Sequence, residues 1–126
     1  MGIPVERREM EGETAMRYLL KTDGIEFEVS KRPVPKTAPN GVQKVDASTG
    51  LPVWSVEVTG FTNEEEGTSV LAVNVASPQM PALSFREPVE VLELEMIPWS
   101  QKGRDGDIRS GVAFRAKEIR AVGAAA

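Results

Sequence analysis

Hydrophobic and polar side chains alternate one by one through most of this chain, and helical periodicity is scarce. Ile25, Phe27 and Val29 fall on one face and Glu26, Glu28 and Ser30 on the other, which predicts a half-buried strand over residues 25–31. Residues 53–59 repeat the pattern, with Trp54, Val56 and Val58 inward and Ser55, Glu57 and Thr59 outward. Leu71, Val73 and Val75 do the same over 68–76, so the two segments predict a hairpin around the acidic loop 63–67. In residues 89–96 the apolar set moves from Val89 and Val91 to Leu92, Leu94 and Met96. That change of phase calls for a bulge, or for a strand buried on both faces. Residues 111–122 close the domain, with Val112, Phe114, Ala116 and Ile119 as core candidates.

Between these segments proline and glycine set the connections. Pro33, Pro35 and Pro39 predict an extended, polyproline-like loop over 31–41, followed by a short strand candidate at 43–46. Residues 47–50 read as a turn, because Gly50 accepts positive φ. Pro78, Pro81 and Pro88 keep helix out of 77–88, and residues 98–111 read as a polar loop. Residues 17–20 are a short strand or the lead-in to one. Residues 1–14 have no stable pattern and read as a loose arm, with 4–10 able to form one helical turn. The expected organisation is a flexible arm (1–16), one β domain (17–122) and a short tail (123–126). Five main strands with phase changes predict an all-β fold, a small five-stranded barrel with long loops. A two-sheet sandwich ordinarily needs about seven.

Composition narrows the chemistry. The 126 residues contain no cysteine and no histidine. That excludes disulfides, thiolate metal sites, cysteine nucleophiles and the histidine-based triad. Residues 64–66 are three glutamates in a turn with no apolar shell, and Asp105 and Asp107 alternate with Arg104 and Arg109. Neither set predicts catalysis or a metal site. The segment around Gly103 and Gly106 lacks the strand–loop–helix context and lysine of a phosphate loop. The expectation is a non-enzyme without cofactor. No apolar run approaches the roughly 18 residues of a membrane span, and residues 1–10 are too charged for a signal peptide, so a cytoplasmic location is expected.

The net charge of −4 is unevenly spread: residues 51–100 carry eight glutamates against Arg86, whereas 101–126 carry six basic groups against three acidic ones. Lys31, Arg32, Lys36 and Lys44 lie in and beside the first proline-rich loop, and Lys102, Arg104 and Arg109 in the second long loop. Converging on one face, they would attract a phosphate backbone whatever the net charge. Trp54 and Trp99 stand near strand or loop ends, where a ring stacks on an unpaired base; Trp54 as core and Trp99 as a loop anchor are the alternatives. Arg115 completes the candidate nucleic-acid-binding set.

Three stretches carry a resemblance. They are the basic proline loop leading to Asp46, then Gly50-Leu51-Pro52 before the Trp54 strand, and finally Pro98-Trp99 with residues 109–116. They resemble small proteins encoded on actinobacterial plasmids and integrative conjugative elements. The strand order is also similar to the helix-free OB-like single-stranded-DNA-binding proteins of filamentous phages. The resemblance spans about residues 25–122. It implies an OB-like barrel that coats or guides single-stranded DNA during replication or transfer of a mobile element. The low tyrosine content (Tyr18 alone) and negative net charge depart from the phage pattern. The alternative is a protein–protein adaptor in a replication, conjugation or secretion complex, with the 89–96 strand adding to a partner's sheet. A homodimer, formed by pairing along a strand, is a further expectation.

Overall fold

Alternation is the local cause of the strands that begin at Glu26, Val53 and Thr68. In chain order the strands are β1 (Val5–Glu9), β2 (Met16–Leu20), β3 (Glu26–Pro35), β4 (Val53–Phe61), β5 (Thr68–Ala76), β6 (Pro88–Leu92), β7 (Glu95–Lys102), β8 (Ile108–Arg115) and β9 (Glu118–Ala121). The structure, a computed structural model, describes residues 5–9, 16–62 and 67–123. No helix occurs among them, so none is long and apolar enough to cross a membrane. The strands join in one curled, half-barrel sheet in the order β1-β2-β7-β8-β5-β4-β3-β6-β9. The all-β expectation holds, and the described residues form nine strands where five main ones are expected.

Three local corrections explain the larger count. Residues 5–9, within the expected arm, form β1 and pair with β2 rather than making a helical turn. Residues 1–4 and 10–15 of that arm, 63–66 of the acidic loop and 124–126 of the tail lie outside the described residues. β3 runs through Pro33 and Pro35, where an extended loop is expected. It does so by shifting register twice, between Val29 and Lys31 and again between Lys31 and Val34, so the ladder to β4 skips Arg32 and Pro33, while Pro35 pairs with Trp54 at the last position of the strand. The expected polar loop 98–111 is mostly paired strand. Trp99 faces Gly111 and Lys102 faces Ile108, leaving only residues 103–107 as the turn. Pro98 is tolerated because β2 pairs with β7 only at Leu19–Glu95 and Tyr18–Met96, so β7 is an edge beyond that point.

The β4–β5 hairpin forms as its pattern dictates, in unbroken register from Val53↔Ala76 to Phe61↔Thr68. The phase change in 89–96 also has a definite place. β6–β9 and β7–β8 share one register, from Val89↔Ala121 through Leu92↔Glu118 and Glu95↔Arg115 to Lys102↔Ile108. They are two halves of one ribbon, bent where Glu93 takes a positive φ of 50°. The bend sends β6 to β3 on one side and β8 to β5 on the other, the latter in parallel. At the bend the Lys117 amide donates to the Leu92 carbonyl, the Ala116 amide to Asn74 and the Leu20 amide to Leu94.

The core fills the concave side of the sheet. Val29, Val56, Val58, Val73 and Leu94 are fully buried, and Phe27, Val89, Ala116 and Ile119 nearly so. Phe114 and Met96 pack against this cluster. Val112, expected in the core, is 48% exposed, because the ribbon has left the barrel by that point and Val112 faces Pro98 instead. Leu94 holds the bend down. Leu94→Ala is expected to cost about 3 kcal/mol in urea unfolding, near the low end for buried leucines, whereas half-buried Leu92→Ala should cost clearly less.

Candidate nucleic-acid interface

The first site element is the connection between β3 and β4, residues 36–52. Its backbone folds back on itself: the Lys44 amide donates to the Lys36 carbonyl at 2.7 Å, and the Val53 amide to the Lys44 carbonyl at 2.9 Å. Isolated bridges, Thr37 with Gln43 and Val45 with Pro52, replace the expected short strand at 43–46. The turn at 47–50 forms as predicted, with Gly50 at φ 73°. Asp46 organises it. Its carboxylate accepts hydrogen bonds from the Ser48 hydroxyl (2.8 Å), the Thr49 hydroxyl (2.7 Å) and the Thr49 amide (3.2 Å).

Asp46 also reaches across the molecule to Arg115 on β8, at 2.8 Å. Arg115 stands directly across the ribbon from Glu95, which pairs with Arg17 on β2 at 3.6 Å. Four side chains of alternating sign thus run from β2 over β7 and β8 to the loop. Burial pushes the Asp46 carboxyl up, but the Thr49 and Ser48 hydroxyls and the Arg115 guanidinium outweigh it and hold its pKa at about 2. Asp46 therefore docks the loop on the ribbon, and Arg115 is engaged in that contact.

The second element is the outer half of the ribbon. Met96 and Phe114 turn to the core, so Ile97, Trp99, Gln101, Arg109, Gly111, Ala113 and Arg115 share the outward face. The Trp99 indole lies over Gly111, where a Cβ would meet the ring at 2.7 Å, and 45% of the tryptophan is exposed. Arg104 and Arg109 line one shallow hollow with Gln101 and Asp105 at the ribbon tip. A second hollow at the ribbon base is lined by Lys44, Asp46, Asn74, Ala76, Ile97 and Arg115, among others. The two hollows lie along one outward face, where Ala113 and Gly111 on β8 and Ala72 and Asn74 on β5 are the small groups. Arg109 and Arg115 mark about 20 Å of its length, six residues at roughly 3.3 Å each.

The structure thus brings together Lys44, Trp99, Arg104, Arg109 and Arg115 along one outward face. It separates the rest. Lys102 belongs to the opposite face of the ribbon, with Ile108 and Val112. Lys31 pairs with Glu57 at 3.6 Å on the outward side of β3 and β4, and exposed Arg32 follows it in the irregular stretch of β3. Lys36 is half-buried at the end of β3. Trp54 is half-buried on the Val56 face, outside the core cluster, and donates its indole N–H to the Ser77 carbonyl at 3.0 Å. Trp99 is on a strand, which corrects the loop-anchor alternative. Sequence reasoning misses Asp46 as the docking group. The Asp46-Ser48-Thr49-Gly50 spacing does predict a side-chain-capped turn, but Arg115 is far away in the chain. No protein-family model matches this chain, and no curated protein does.

Two predictions follow from this geometry. Asp46 is ionised more readily folded than unfolded, so its stabilisation is complete above about pH 4 and is lost as pH falls toward 2. Asp46→Asn should lower stability near neutrality by about 2 kcal/mol and flatten the acid limb of a pH–stability profile. Gly111→Ala should push the Trp99 ring off the ribbon and shift its fluorescence, with near-unchanged far-UV circular dichroism.

Proposed function

We propose that this protein is a non-catalytic single-stranded-DNA-binding protein on an OB-like barrel, serving replication or transfer of a mobile element. An OB-fold is a five-stranded, partly open barrel whose second and third strands and two loops hold oligonucleotides. Counting each arm of the bent ribbon as one strand, the pairings run β3 to β4 to β5, in parallel to β8–β9, across to β6–β7, and back to β3. That circuit supports the OB-like reading, with β1 and β2 outside it. The two loops that matter are then residues 36–52 and 103–107, which carry Lys44 and Arg104.

The observation that carries the proposal is the outward face of the ribbon, with Trp99, Arg104 and Arg109 toward its tip and Lys44 at its base. A base stacks on Trp99 while its phosphates meet the cations, which tolerates any sequence.

Fluorescence anisotropy with a labelled single-stranded oligonucleotide over a salt series tests this reading. Each phosphate neutralised on a single strand contributes about −0.7 to the log–log slope. Replacing Lys44, Arg104 and Arg109 by alanine should flatten the slope by about two. Trp99→Ala should weaken binding by roughly 1–3 kcal/mol with the slope nearly unchanged. Lys102→Ala, on the opposite face, should change little. Absence of binding at low salt, or a wild-type slope in the triple variant, overturns the proposal.

A further inference from the structure

A groove of about 530 Å³ lies on the other flank of the barrel, along the seam of β3 with β6 and the end of β9. Its apolar surface is supplied by Ile25, Phe61, Leu92 and Val122. Phe61 and Val122 are more than a third exposed, so the groove is open and uncovered by the described chain. Its polar surface is acidic: Glu26, Glu28 and Glu90 all line it.

The carboxylates are arranged in a way the fold alone does not balance. The β3–β6 ladder ends at Phe27 with Val89 and Glu28 with Pro88, so Glu26 and Glu90 are the residues just past its last pair, and both line the groove. Like charges gathered on one open surface repel. Arg120 holds Glu90 at 3.0 Å, and exposed Arg86 reaches Glu28 only from 3.8 Å. Glu26 has no ion-pair partner among the described residues. A cation arriving from outside would relieve the repulsion. Its aliphatic stem would lie on Leu92 and Val122, and its head would sit between the carboxylates and the Phe61 ring. Phosphate-bearing ligands are repelled here.

We infer that this groove docks a basic, apolar peptide segment of a partner protein, with arginine or lysine at Glu26 and Glu90 and aliphatic side chains against Phe61 and Leu92. This groove shares no lining residue with the two hollows along the ribbon.

The test uses the full chain and a blocked peptide of sequence Val-Arg-Leu-Arg-Val, followed by amide chemical shifts. The expected result is sub-millimolar binding, with shifts confined to the amides of residues 25–28, 61, 89–92 and 122. Glu26→Lys should weaken binding at least tenfold and Phe61→Ala about fivefold. Glu26→Gln, a milder change at an exposed position, should weaken it severalfold, and it keeps the test decisive where the charge reversal disturbs folding. A Val-Glu-Leu-Glu-Val peptide should not bind, and oligonucleotide binding by Glu26→Lys should be undiminished. The inference is overturned by no shifts at millimolar peptide, by shifts centred on Trp99 and Arg109, by equal binding of the acidic peptide, or by wild-type affinity in both Glu26 variants.

Discussion

One residue of positive φ, Glu93, lets a single β ribbon serve two sides of the molecule. Without the bend, residues 88–121 would be a straight two-stranded arm, able to complete a sheet on one edge only. With it, the inner half completes the ladder of β3 and the outer half meets β5, and the sheet curls far enough to enclose the valine-rich core. The bend is held from three directions, because β2, β5 and the ribbon's own strands all hydrogen-bond there. A left-handed backbone at glutamate costs energy, and such a conformation persists only where its surroundings over-determine it.

The alternating charges of Arg17, Glu95, Arg115 and Asp46 convert that backbone arrangement into a surface. Their partial burial makes each of them costly alone and cheap in company. The series reaches from β2 at one margin to the connecting loop at the other, so the loop's position depends on the ribbon's. Charge also divides the exterior. The flank along the ribbon is rich in lysine and arginine, and the flank along the β3–β6 seam in glutamate. A net charge near zero per face would have left both flanks indifferent to charged partners.

Much of this architecture is legible in the sequence, and the illegible parts share a cause. Strict alternation announces the β4–β5 hairpin and the start of β3, since each residue's environment there follows from its immediate neighbours. The shift between Val91 and Leu94 announces the bend for the same reason. Pro33, Pro35 and Pro98 mislead because proline excludes a residue from a ladder only where its amide would be needed, and a register shift, a strand end or an open edge removes that need. Val112 misleads because its spacing fits the core while its distance from the barrel does not. Of the candidate site, the chemistry of Lys44, Trp99, Arg104 and Arg109 is visible in their types, but their shared face follows from a register set over the whole ribbon. Arg115 looks like any other surface cation until Asp46 is placed beside it. Trp54 and Lys102 show the converse, residues of suitable type directed elsewhere by a single step of the pleat.

The sparse parallel join between β5 and β8 bears on how the molecule assembles. The hairpins and the bent ribbon need only neighbouring segments to meet, so their closure entropy is small. The β5–β8 join rests on two register pairs, Val73 with Phe114 and Asn74 with Arg115, separated by 41 positions in the chain. Contacts of that separation dominate the folding rate of β proteins and form only after a large loss of chain freedom. The base of the outward face, where Lys44 and Asp46 meet Asn74 and Arg115, spans this join and so exists only once the hairpin and the ribbon have come together.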